Sequence, residues 1–188
     1  EYEYDLFISW TGKDRALKNA VKEYFRNKYG DEFKIYDSDV DCKGNFRENF
    51  GKALLKSKVY LVILSDHLRR TEHITEVTRE CDMACDLEAN GELNIVVLCV
   101  SDYFRQPCKD CNDKLGWYFY TAFSAHSQIF GEYVDGTLSD NTYEKLDKDV
   151  IEFIREREAG QPAIPQKPRY DVKFSRLPRD DAFKGRGE

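Results

Sequence analysis

Short continuous apolar runs alternate along this chain with longer stretches whose apolar residues repeat every three to four positions. The run at Leu6 to Ser9 reads as a buried strand. Leu17, Ala20, Val21, Tyr24 and Phe25 then fall on one face of a helix that starts near Asp14. Phe33 to Tyr36 predicts a second strand, and a polar loop "DSDVDCKGN" leads to a helix marked by Phe46, Phe50, Ala53 and Leu54. "VYLVILS", Val59 to Ser65, is continuously apolar and rich in β-branched residues, as a central parallel strand buried on both faces should be. Ile74, Val77, Cys81, Ala84 and Cys85 form a third helical stripe, and "NIVVLCV", Asn94 to Val100, is the next strand.

Beyond Ser101 the pattern loosens. An aromatic cluster at Trp117 to Tyr120 and Phe123 shows no clear period, and "SQIF" is a candidate last strand. Tyr143, Leu146, Val150, Phe153 and Ile154 predict a closing helix with Ser139 or Asp140 as N-cap. Strands separated by helices imply right-handed crossovers. The expected fold is α/β: a flavodoxin-like, doubly wound parallel sheet of about five strands with helices on both faces. One domain should occupy residues 1–158. The segment 159–188 holds four of the five prolines and no periodicity, and reads as a linker or extended tail.

Composition narrows the function classes. The chain has 188 residues, a net charge of −6 and dispersed Lys and Arg, which argues against duplex nucleic acid as a partner. No apolar run approaches the roughly 18 residues of a membrane span. The start lacks both an initiator Met and a signal-peptide pattern, and reads as cut from something longer. Six cysteines lie largely in apolar or helical patterns, which favours free thiols and a cytoplasmic setting.

In a doubly wound sheet, ligands bind beyond the carboxyl ends of the strands. That rule selects Ser9 to Lys13, Asp37 to Asn45, Ser65 to Glu76 and Ser101 to Phe104. Neither GxGxxG nor GxxxxGK[ST] is present, so a nucleotide phosphate loop has no support. His67, His73 and His126 have no zinc spacing, Cys108 and Cys111 would need two further ligands, and there is no G-x-S-x-G. Metal and resident cofactor are both expected to be absent. What remains is a carboxylate. Glu72, Glu76 and Glu80 recur every four residues, on one helical face beside the end of the strongest strand. Alternatively they are a solvated face neutralised by Arg69, Arg70 and Arg79.

These pieces together resemble a Toll/interleukin-1 receptor (TIR) domain. "YDLFIS" is similar to its first box, "GKALLKSKVYLVILS" to the helix and strand that close in "LS", and "YDSDVDCKGNFREN" to its BB loop. The likeness runs from about Tyr4 to Val100, with the closing helix in the expected place. It implies one of two activities. Some TIR domains are adaptors that only assemble with one another. Others cleave NAD+ at the nicotinamide glycosidic bond, using a glutamate in a W-x-x-x-E pattern followed by an aliphatic residue. The matching position is Glu76, followed by Val77, with Glu72 in place of the tryptophan.

On that resemblance NAD+ is the substrate and Glu76 the catalytic residue. Ser9, Trp10, Thr11, Gly12 and Lys13 would shape the mouth, with Trp10 stacking on a ring or else covering the core. Asp39 and Ser65 are further substrate-binding candidates. The partner implied is a second copy of the chain, forming a homo-oligomer through contacts that include the loop Asp37 to Asn45.

Overall fold

The structure is a computed structural model that describes residues 1–42, 44–70, 74–105, 114–123, 126 and 128–160. Glu72, His73, Cys108, Cys111 and the tail from residue 161 lie outside the described residues.

Among those residues a five-stranded sheet runs in the order β2-β1-β3-β4-β5. Its strands are β1 (Tyr4–Ser9), β2 (Ile35–Tyr36), β3 (Ser57–Leu64), β4 (Asn94–Cys99) and β5 (Gln128–Phe130). Every pairing is parallel. The order is the doubly wound one expected from the sequence. β3 lies at the centre, and Val59 to Leu64 are at most 1% exposed, as a strand covered on both faces must be.

Helices make the crossovers: α1 (Arg15–Tyr29), the short α2 (Ser38–Asp41) with α3 (Phe46–Leu55), α4 (Ile74–Ala89), and α5 (Asp102–Arg105) with α6 (Lys114–Phe123). The final helix, α7 (Asp140–Glu158), is capped by the Ser139 side chain, which accepts from the Thr142 backbone N–H. The aromatic cluster thus belongs largely to α6. Its helical period was hidden because neighbouring aromatic residues occupy both faces of the turn. Tyr118, Phe119, Ala122 and Phe123 are the members that reach the core.

Strand alternation sorts the core into two layers. Leu6 and Ile8 face α1 and α7, against Leu17, Val21, Phe25, Leu146 and Val150. Phe7, Tyr36 and Tyr60 face the other way, against α3, α4 and α6 through Phe50, Leu54, Val77, Cys81 and Phe119. Ser9, two residues after Phe7, continues that second face. Cys42, Cys81, Cys85 and Cys99 are free thiols. Among the described residues no helix is long and apolar enough to cross a membrane.

Below the sheet's carboxyl edge, charges tie α1 to α2. Lys18 is 1% exposed and its ammonium lies 2.8 Å from Asp37 and 3.0 Å from Asp39. Lys22 reaches the same Asp37 oxygen at 2.8 Å, and Arg15 grips Asp39 through two hydrogen bonds of 2.8 and 3.0 Å. Burial pushes the Asp37 carboxyl up, but Lys18, Lys22 and the Asp39 backbone N–H outweigh it, so the net displacement is downward. Removing the Asp37 charge leaves the buried Lys18 with Asp39 alone and takes the carboxylate from Lys22, at a cost of about 3–5 kcal/mol for a buried charge that loses a partner. Asp37→Asn should therefore lower the melting temperature by roughly 10 °C. Lys18→Met combined with Asp37→Asn should recover much of the loss, which thermal denaturation monitored by circular dichroism would measure.

Candidate functional site

The carboxyl ends of β1 and β2 border a small cleft lined by Phe7, Ile8, Ser9, Trp10, Tyr36, Ser38, Phe50 and Glu80. Half of these residues are aromatic, and the carboxylate among them is Glu80. Glu80 sits in α4 at 6% exposure, and the Ser9 hydroxyl donates to its Oε1 at 2.7 Å. The end of β1 and the middle of α4 therefore meet at a single hydrogen bond.

Burial raises the Glu80 carboxyl from 4.5 to about 7; the Ser9 hydrogen bond opposes this and the nearby charge of Glu76 adds to it. Near neutral pH the group is thus divided between acid and carboxylate, and a carboxyl so displaced beside a cleft is a candidate functional group.

Glu76 is not part of this lining. It lies one turn earlier on α4, half-buried, and acts on Glu80 through charge. Glu76 and Glu80 both lie on α4, one turn apart, and of the two it is Glu80 that lines the cleft. A sequence signal for Glu80 existed. It falls three residues after Val77 and four before Ala84, on the side of the apolar stripe.

The loop after β1 divides. Ser9 and Trp10 border the cleft. Trp10 also carries cations against its ring, with Lys18 Nζ 4.5 Å and Arg15 Cζ 5.4 Å from the centroid. A stacked ligand would have to share the indole with them. Gly12 and Lys13 are exposed at the rim, and a Cβ at Gly12 would meet nothing within 4 Å.

Thr11 and Ser65 are brought together elsewhere. Both donate to Oδ2 of the buried Asp14, Thr11 at 2.9 Å, while His67 Nδ1 lies 2.8 Å from Asp14 Oδ1. This bridges the ends of β1 and β3, the point where strand order reverses. Many folds of this order take a ligand there; here Asp14 fills the junction and ties two loops. Asp39 is likewise engaged, held near 2 chiefly by its hydrogen bond from Arg15. His126 belongs to the scaffold, its Nε2 2.8 Å from the buried Glu88 carboxylate.

Two lining groups were not anticipated. Tyr36 is 3% exposed, its ring stacked on Phe7 at 4.8 Å. Phe50 comes from α3. Both looked like ordinary core residues, because a strand-end aromatic in a short apolar run carries no mark of bordering a cleft. Among the described residues no cluster of His, Cys, Asp and Glu could hold a metal ion.

No protein-family model matches the chain, and no curated protein matches it either. Among the described residues the fold and site define a doubly wound α/β domain with a small cleft at its strand ends that contains the buried carboxylate Glu80.

The displacement of Glu80 from 4.5 to about 7 has a thermodynamic consequence. Between those pH values the folded chain keeps a proton that the unfolded chain has released, so stability falls as pH rises through that window and levels off above it. The full effect is about 3 kcal/mol. Glu80→Gln, which keeps the acceptor for Ser9 but carries no charge, should melt higher than the wild type by roughly 5–10 °C at pH 8. At pH 4.5 the two should converge, as melting curves across pH would reveal.

Proposed function

We propose that this chain cleaves NAD+ at the bond between nicotinamide and ribose, with Glu80 as the catalytic carboxylate. The observation that carries the reading is the buried glutamate, hydrogen-bonded by Ser9 and lining a small cleft with Trp10 and Tyr36 at the carboxyl edge of a parallel sheet. The resemblance of "YDLFIS", the loop after β2 and the "LS" strand end to NAD+-cleaving TIR domains supports it, with the catalytic role moved one turn from Glu76 to Glu80. In that alignment Glu76 takes the tryptophan's place in W-x-x-x-E and Cys81 follows the glutamate.

One carboxylate is enough for this reaction. Nicotinamide leaves from a pyridinium as a neutral molecule and needs no general acid, unlike the leaving alcohol in ordinary glycoside hydrolysis. Glu80 would hold the ribose hydroxyls and offset the positive charge that grows on the anomeric carbon, an interaction stronger in the transition state than in the ground state. Ser9 acts through Glu80: its hydrogen bond favours the ionised form.

The cleft is too small for a whole dinucleotide, and a second copy docked on the loop Asp37 to Asn45 would complete it. That loop suits docking: Val40 is 63% exposed on α2, and Arg15 and Lys18 hold α2 in place through Asp39. The same exposed, charge-braced segment favours the second reading, a non-enzymatic adaptor that works by assembly alone. Free thiols at Cys42, Cys81, Cys85 and Cys99 support a cytoplasmic setting, and the dispersed positive charge gives no reason to invoke nucleic acid.

Concentrated protein incubated with NAD+, its products resolved by chromatography, should yield nicotinamide with ADP-ribose or a cyclic isomer. Glu80→Gln should lower the rate by roughly 10²- to 10³-fold, whereas Glu76→Gln should stay near wild type. The reverse pattern would return the catalytic role to Glu76, and NAD+ left intact by assembled wild-type protein would favour the adaptor. The wild-type rate should climb as Glu80 ionises near pH 7. Ser9→Ala, which removes the opposing hydrogen bond, should move that climb to higher pH; an unmoved profile would mean that another group sets it.

A further inference from the structure

Resting on the reading that the loop Asp37 to Asn45 takes a second copy and the cleft takes NAD+, we propose that Asp39, Lys18 and Arg15 couple the two by holding the Trp10 indole in place. All three are positioning residues, since they bear on a ligand only through Trp10, which lines the cleft. The contacts run in an unbroken series. Asp39 Oδ2 lies 3.0 Å from Lys18 Nζ and 2.8 Å from Arg15 Nε, and Asp39 Oδ1 accepts from Arg15 Nη2 at 3.0 Å. The same two cations stand against the indole, Lys18 Nζ at 4.5 Å and Arg15 Cζ at 5.4 Å from the ring centroid. Both fall within the range of about 6 Å over which a cation is drawn to an aromatic face. One carboxylate on α2 thus fixes both cations that bear on one wall of the cleft.

The local structure makes Asp39 the movable member. α2 is a single turn of four residues, too short to be held by its own backbone hydrogen bonds, so its place depends on side chains. The Asp37 carboxylate accepts from the Asp39 N–H at 3.0 Å, and the Asp41 carboxylate accepts from the Asp37 N–H at 2.8 Å. Next to Asp39 on the same turn, Val40 is exposed. A partner that covers Val40 therefore bears directly on the residue that holds the cations. Arg15 and Lys18 lie three residues apart on α1, on one face of a long helix, which Leu17, Val21 and Phe25 anchor in the core. α1 stays while α2 moves. A cation that loses its carboxylate turns to the nearest remaining site for positive charge, here the indole face, and the cleft wall shifts with it.

The test reads Trp10 directly. Protein labelled with 5-fluorotryptophan carries one fluorine signal for each of its two tryptophans, and Trp10→Phe identifies the one from residue 10. Asp39→Asn leaves Lys18 paired with Asp37 and should fold, with its Trp10 signal moved beyond the linewidth. Asp39→Glu, which restores the charge, should move it less. Arg15→Gln, a change at an exposed side chain, should already diminish the response to Asp39→Asn. Adding Lys18→Met together with Asp37→Asn, so that the buried pair is removed as a unit, should abolish most of it. An unmoved Trp10 signal in Asp39→Asn would overturn the coupling even if the melting temperature changed, and so would an equal movement with and without the cations.

Two further readings on the same samples separate this coupling from the function it rests on. Concentrating the wild type until it assembles should move the Trp10 signal, and should not do so once the cations are removed. A response to Asp39→Asn with none to assembly sinks the docking role of the loop and leaves the coupling. The same response in protein that leaves NAD+ intact sinks the enzyme and leaves the coupling.

Discussion

A buried carboxylate is an expensive thing to place in a protein core, and the Glu80 side chain is where this structure accepts that cost. The strand end at Ser9 supplies a hydrogen bond that makes the burial tolerable. For Ser9 to reach it, β1 must run parallel beside β3 in the register that sets Ser9 opposite Val62, and α4 must pack with Val77, Cys81 and Ala84 against the sheet. Sheet register and helix rotation are thus both recorded in one contact. A slip of one residue in β1 would turn Ser9 to the α1 side and leave the glutamate facing apolar side chains.

A second set of charges serves position more than chemistry. Lys18 is among the most buried residues in the molecule, yet it is a cation. It is held because Asp37 and Asp39 both converge on its ammonium from the segment after β2. That convergence anchors α2 at one wall of the cleft, near Ser38 and Tyr36, and leaves Val40 turned outward. Asp14 does comparable work at the next strand gap, drawing Thr11, Ser65 and His67 onto one carboxylate. The two loops that border the cleft are consequently tied down from outside it.

Most of the architecture was legible from hydrophobic periodicity. Each of the runs at Leu6, Val59 and Asn94 became a strand, and the stripes at Leu17, Val77 and Tyr143 became helices, because burying those faces dominates the free energy of folding. The stretch with α6 was not legible, since consecutive aromatic residues look alike on every face of a helix. The site was only half legible. Strand-end logic led to Ser9 and Trp10, but it also drew in Thr11, Ser65 and Asp39, whose polar groups are spent on neighbours. Residue type does not reveal whether a hydroxyl at a strand end meets a ligand or an aspartate.

The order of strands and helices, the doubly wound class, the burial of β3 and the presence of a glutamate ladder on α4 follow from the sequence by itself, because each depends on local period and on which residues avoid water. Which glutamate turns inward, that Ser9 rather than Ser65 meets it, and that Tyr36 lines the same cleft were decided only by the tertiary structure. Those facts depend on the rotation of α4 about its axis and on the stagger of β1 against β2. Both are set by packing between segments far apart in the chain.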